Sequence, residues 1–246
     1  MKKSKKYKIS IISIVIMAIL LASCDPFFNC IEGNGIIKTE QRVVAVFYGV
    51  VNNTNYNVDI VYDSIYSVNI TADENLLPYI NTIVRSGDLV IEVDNDRCLE
   101  ESNNIIIDIR MPYLELIELN GSGNIDIDEF DCNNVEIINN GSGSIDFYGL
   151  ISISTVGIAL NGSGSITVIG KAHRGNLNLS GSANIWADDF RVDDCYATNS
   201  GSGNIFCFAY DLLDATVTGS GDIIYYGSPI HVVETDNGSG EIRSWN

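Results

Sequence analysis

Carboxylates are the side chains in this sequence best suited, by type and spacing, to do chemistry. Asp126, Asp128, Glu129 and Asp131 fall within six residues, and Asp188, Asp189, Asp193 and Asp194 form a second group. Calcium takes six to eight oxygen ligands, so carboxylates grouped on neighbouring corners of a fold are the donors it needs. Calcium is thus the one cofactor the sequence suggests, set against a solvated acidic face that needs no ligand. Lys171, Arg174 and Arg191 offer a different chemistry, because Arg174 and Arg191 lie about one repeat apart. A polysaccharide-cleaving site combines metal-bound carboxylates with a base that takes a proton beside a uronic acid.

Other reaction types find no support. His173 and His231 have no metal-ligand spacing around them and read as surface residues. No HExxH, paired CxxC or GxSxG pattern occurs. Ser122, Ser142, Ser163, Ser182, Ser202, Ser220 and Ser239 recur too regularly to be nucleophiles and read as turn serines. The glycine-rich lead-in to Asp126 faintly matches calcium-binding nonapeptide repeats. The match fails in detail, because Thr167, Trp186 and Phe206 stand at the places matching Asp126. The acidic groups therefore read as a solvated face, and catalysis is not expected.

The elements that carry these residues follow from an internal repeat. Gly-Ser-Gly begins at Gly121, Gly141, Gly162, Gly201, Gly219 and Gly238, and Gly-Ser-Ala begins at Gly181. Successive spacings are 20, 21, 19, 20, 18 and 19 residues. Four positions after each first glycine stands an isoleucine: Ile125, Ile145, Ile166, Ile185, Ile205, Ile223 and Ile242. Apolar residues alternate on both sides of every turn, as in Val156, Ile158 and Leu160 or Ile166 and Val168, which is the period of a strand with one buried face. Glycine is expected here for backbone angles with positive φ. Antiparallel hairpins fit each turn taken alone. A constant period instead favours parallel coils about 4.8 Å apart that bury one column of isoleucine. The expected fold is all-β: a parallel β-helix or β-solenoid with coils of about 20 residues. Residues 119–246 form its seven repeats, and 35–118 form a less regular part with one short helix over Asp73–Ile80, capped by Asp73.

The first segment sets the compartment. Lys2, Lys3, Lys5, Lys6 and Lys8 precede an apolar run from Ile9 to Ala22, and Leu21-Ala22-Ser23-Cys24 follows. This is the order of a secretory signal. The Leu-Ala-Ser-Cys ending resembles the lipobox of bacterial lipoproteins, which implies cleavage before Cys24 and a lipid on its sulfur. Residues 1–23 then form the signal peptide and 24–34 a lipid-anchored tether, placing the domain in the cell envelope, with the outer membrane the expected site. Loss of the signal removes five lysines and no acid, moving the formal charge from −18 to −23. So acidic a chain cannot neutralise a row of phosphates, which excludes nucleic acid as a partner. Beyond Cys24, the cysteines are Cys30, Cys98, Cys132, Cys195 and Cys207, an odd number that leaves at least one unpaired within the chain. Cys195 and Cys207 fall at inward positions and read as core residues; a bridge between Cys30 and Cys98 is left open.

The stretch Ile70-Thr71-Ala72-Asp73-Glu74-Asn75-Leu76-Leu77-Pro78-Tyr79-Ile80, followed by Val84-Arg85-Ser86-Gly87-Asp88-Leu89-Val90-Ile91, resembles the head GIN domain of putative auto-transporter adhesins. That domain is frequent in Bacteroidetes lipoproteins. The Gly-Ser-Gly-Asn-Ile turns at Gly121–Ile125 and Gly201–Ile205 match its second half, and the resemblance spans about residues 38–240. It implies a β-helical fold and carries no catalytic residues. The functional expectation is a cell-envelope binding or adhesion scaffold without catalysis, the alternative being a polysaccharide-processing β-helix enzyme. The expected partners are the membrane, through the N-terminal lipid, and an extracellular glycan or envelope protein. Outward aromatics Tyr148, Trp186 and Phe206 are the candidate ligand face, although Tyr148 is shifted by two positions. Self-association is expected, if anywhere, at the edge of the C-terminal coil.

Overall fold

The computed structural model describes residues 30–94, 97–152 and 154–245. The signal segment, Cys24 and most of the tether lie outside the described residues. From Leu116 onward every strand pairing is parallel. Strands that precede the glycine turns, among them Val135–Asn139, Thr155–Leu160 and Leu212–Val217, form one ladder. Strands that follow the turns, from Ile125–Ile127 to Ile242–Ser244, form a second. A short third ladder joins Phe130–Cys132 to the later part of Ile145–Ser152 and onward. This is a β-solenoid, and the hairpin alternative is excluded by the direction of pairing.

The second ladder sets Ile125, Ile145, Ile166, Ile185, Ile205, Ile223 and Ile242 opposite one another in sequence. All but the terminal Ile242 are buried completely. Each such side chain is worth roughly 1.5–3 kcal/mol of burial, so the column outweighs local turn preferences.

The turn glycines owe their identity to a different cause from the one expected. Positive φ occurs at Gly35, Gly87, Gly149, Gly170 and Gly227, and at none of the glycines that open the seven turns. What demands glycine is the coil beneath. A Cβ on Gly141 would lie 1.9 Å from the carbonyl oxygen of Gly121, and one on Gly162 would lie 1.9 Å from that of Gly141. The stack of turns begins at Thr54, over whose carbonyl Gly121 sits. Thr54 and Tyr56 hold the places of the two glycines in the coil on which the stack begins.

In the less regular N-terminal part the coils stack in an order that differs from their order along the chain. The coil Gly49–Asn52 with Asn57–Tyr62 lies directly under Leu116–Leu119 and Ile125–Ile127. Beneath it lie Asp88–Val93 and Ile106–Met111, which come later in the chain. Antiparallel strands then close the end: Ile80–Arg85 on one ladder, Ser67–Asp73 and Ile37–Arg42 on the other. The short helix expected over Asp73–Ile80 is a single 3-10 turn at Leu77–Tyr79, with Leu76 rather than Asp73 at its start. Asp73 is fully buried and accepts hydrogen bonds from the Gly35 and Ser102 amides and from the Ser102 hydroxyl. Those donors hold its carboxyl below the usual range, the Ser102 hydroxyl contributing most. Cys30 and Cys98 form a disulfide, and Ile31–Glu32 pairs with Leu99–Glu100 beside it.

Among the described residues the last coil pairs on one side only, and its composition departs from the interior pattern. The column Ile158, Leu177, Ala197, Ala215 continues to Glu234, and the column Leu160, Leu179, Asn199, Val217 continues to Asp236. Carboxylates at inward positions of an edge strand oppose the addition of a further strand. Glu234→Val/Asp236→Val should therefore raise the association of the chain with concentration, as read by sedimentation velocity against the native protein. A double variant that sediments as the native chain does would show that the two carboxylates do not guard this edge.

Candidate functional site

The expected chemistry is only partly assembled. Asp126 stands in a straight outward row with Asp108, Asp59 and Asp146, contributed by four stacked strands. Partial burial, then the neighbouring carboxylates, raise the pKa values of Asp59 and Asp126. Among the described residues, no three carboxylate, histidine or cysteine side chains converge as a metal ion would require. Three of the four carboxylates of the second acidic group are engaged with basic side chains: Asp194 faces Arg174 at 3.4 Å, Asp193 lies 2.9 Å from Nδ1 of His173, and Asp189 lies 3.8 Å from Arg191. Arg174 and Arg191 do not sit side by side. Arg191 is in register with Lys171, and Arg174 is in register with Asp194 and lies over the Tyr196 ring.

The aromatic face is likewise divided. Trp186 and Phe206 are neighbours in register and stack with centroids 4.2 Å apart and planes 9° from parallel. Their faces are turned on each other along the solenoid axis, so the pair presents ring edges outward. Tyr148 belongs to the adjacent row, in register with Ile169, and shares no contact row with them. Ile224, next above Phe206, faces outward yet is buried, so this patch packs largely upon itself.

Cys132, Cys195 and Cys207 are free and buried. A hydrogen bond with Cys195, then burial, pushes the Cys207 thiol well up, and burial beside Asp131 pushes Cys132 up to about 12. Thiols so protonated are poor nucleophiles.

A site that the repeat does not reveal lies at the corner of the N-terminal coils. Pro112 ends the strand Ile106–Met111, because proline offers no amide to the ladder. The corner that follows exposes Tyr113 and tucks Leu114 into the core. The amide of Glu115 donates to the carbonyl of Tyr48, which brings Tyr48 beneath this corner. Tyr66 lies near both, packed edge-on against buried Phe47 with centroids 5.2 Å apart. Burial, then the neighbouring Tyr48 and Tyr113, raises the pKa of Tyr66. Val43, Val46 and Ile65 are exposed on the loops leading to Tyr48 and Tyr66. Above Tyr113 opens a groove of ≈ 410 Å³, bounded by Glu115 and by the next corner, Asp131 to Glu136. That second corner is fixed by the Ser152 hydroxyl, which donates to the Asn133 carbonyl at 2.8 Å, and by Asn134, whose side chain accepts from the Thr155 amide.

The architecture has relatives among solved structures. A putative adhesin from Bacteroides fragilis superposes with a TM-score of 0.79 at 24% identity, covering 87% of this chain and 100% of its own. A putative lipid binding protein from Parabacteroides distasonis gives a TM-score of 0.68 at 24% identity, with the same coverage of both chains. A putative adhesin from that organism gives 0.63 at 20% identity, again with 87% and 100% covered. At such identities the likeness is one of fold. No curated protein matches the chain. The family model for the putative auto-transporter adhesin, head GIN domain, matches residues 46–229, most of the chain, in agreement with the solenoid register and the turn sequence. The chain belongs to the putative auto-transporter adhesin, head GIN domain family.

Proposed function

We propose that this chain is an exported lipoprotein of the outer membrane, held there through Cys24, and that it acts as a non-catalytic binding and adhesion module for a glycan or an envelope protein. The observation that carries the reading is the parallel register from Leu116 to Ser244, which a single irregularity at Tyr148–Leu150 shifts without reversing. Backbone bonds between coils fix outward side chains at intervals of about 4.8 Å on a stiff body, an arrangement suited to extended ligands. Membership of the putative auto-transporter adhesin, head GIN domain family supports the same expectation. Two of the three basic residues that a polysaccharide-cleaving site could use, Arg174 and Arg191, are paired with Asp194 and Asp189, which favours binding over turnover. Self-association at the C-terminal coil is opposed by Glu234 and Asp236, so a partner of different composition is the better occupant of the outer faces.

Two measurements test the reading. Labelled palmitate should enter the native chain and not Cys24→Ala, and the variant should leave the membrane fraction; a variant still labelled would refute the anchor. The Cys24→Ser chain, applied to glycan arrays and to intact cells, should bind at least one of them. Failure with every glycan, cell and envelope extract would remove the adhesive role.

A further inference from the structure

We infer that the groove between Tyr113 and the Asn133–Asn134 corner is a sugar subsite, and that its best occupant is a pyranose bearing a free ammonium group. The inference rests on the adhesive reading and deepens it by naming a ligand class. Its volume of ≈ 410 Å³ falls in the range of small-molecule sites, about 300–1,000 Å³. The Tyr113 side of the groove is aromatic, with 63% of Tyr113 exposed and Tyr48 and Tyr66 behind it. Aromatic rings combine an apolar face with, in tyrosine, a polar tip, which suits a sugar ring whose C–H face is apolar and whose rim is hydroxylated.

The remaining walls select by charge. Glu115, Asp131 and Glu136 border the groove, and among the described residues none that lines it is Lys, Arg or His. An anionic sugar would meet three carboxylates and no counter-charge, whereas an ammonium group gains from the carboxylates and from a position over the tyrosine ring. Asn133 and Asn134 add amide groups at the far wall. The other two faces lack this combination. The Asp108–Asp59–Asp126–Asp146 row is an open surface, and the Trp186–Phe206 pair offers edges rather than a ring face.

The test uses the Cys24→Ser chain at 0.15 M salt, titrated by calorimetry with a glucosamine oligomer, a cello-oligosaccharide and an oligogalacturonate. The expected order is glucosamine oligomer first, cello-oligosaccharide about tenfold weaker, a difference of about 1.4 kcal/mol, and no binding of the uronate. Tyr113→Ala should weaken both of the first two at least about tenfold. Glu115→Gln/Asp131→Asn should erase the preference for the amino sugar while keeping the cello-oligosaccharide; both sets of changes are at exposed positions, and circular dichroism checks the fold. Glucosamine-oligomer binding that Tyr113→Ala leaves unchanged is charge attraction elsewhere on an acidic surface, and it overturns the subsite. Equal binding of the uronate, or no binding of any of the three, overturns it as well. If the chain still adheres to cells in that case, the adhesive reading stands and only the groove assignment falls.

Discussion

Gly162→Ala is expected to lower the stability of the domain by about 4 kcal/mol or more, enough to abolish a cooperative urea transition in a marginal fold. The substitution adds one methyl group to a half-buried position, and ordinary bookkeeping would rate it mild or even stabilising. The geometry says otherwise. The new Cβ would stand 1.9 Å from the carbonyl oxygen of Gly141 and 2.7 Å from the carbonyl carbon of Asn140, both backbone atoms of the coil beneath. Backbone cannot rotate aside as a side chain does, so two coils must separate, and each is bonded to further coils above and below. Gly164→Ala should cost less, about 1–3 kcal/mol, although its Cβ would also meet a carbonyl oxygen. The reason is Ala183, which already occupies the same third place in the Gly181 turn, one coil along. Ser163→Ala, on an exposed side chain, should stay within about 0.5 kcal/mol of the native chain. Equal midpoints for Gly162→Ala and Ser163→Ala would show that the turns are spaced by something other than this contact.

The contrast between these glycines marks where the sequence is a good guide and where it is not. The isoleucine column is readable because consecutive coils are consecutive in the chain, so a spacing near 20 residues translates directly into stacking. The same property explains why the N-terminal half resists such a reading. Thr54 lies under Gly121 but 67 residues before it, and the strands beneath its coil, Asp88–Val93 and Ile106–Met111, come later in the chain. No period survives that order. Asp59 and Asp108 join the row of Asp126 and Asp146 across the same break, and so only half of that row is visible in the repeats. Trp186 and Phe206 are recognisable as neighbours from their common offset, but the orientation of their rings depends on packing between coils, which spacing does not encode. The tyrosine corner is the extreme case. Tyr48, Tyr66 and Tyr113 come from three loops with no shared spacing, and the signal they leave is only that tyrosines gather between strands outside the repeats. The turn glycines were readable in position but not in cause, because positive φ and a close approach from below select the same residue.

A second substitution inside the stack distinguishes packing from hydrogen bonding. Asn199→Leu is expected to cost about 2–4 kcal/mol, although it replaces a fully buried polar side chain with an apolar one of similar size. The column that holds Asn199 already contains Leu119, Leu160 and Leu179, so leucine fits the space and the strand. What it cannot supply is the bridge across the turn. The Asn199 side chain accepts from the Gly201 amide at 3.0 Å, and its amide donates to the carbonyl of Gly203 at 2.8 Å and to that of Asp222 in the next coil at 3.0 Å. Asn139 and Asn52 make the same bond across their own turns, to Gly143 and Tyr56. The loss should be unequal among them. With Asn139→Leu, the Gly141 amide keeps the Leu119 carbonyl at 3.1 Å as a partner, whereas the Gly201 amide has no other partner among the described residues. Asn139→Leu should therefore be milder by about 1 kcal/mol. The two sites are three coils apart, beyond the range at which substitutions usually couple, so the double variant should show the sum of the two effects within about 0.5 kcal/mol. Urea midpoints of the two single variants and the double variant decide the matter. Leucine that proves neutral at position 199 would mean that the stack satisfies its turn amides without these side chains, leaving burial of the isoleucine column as the whole source of the register.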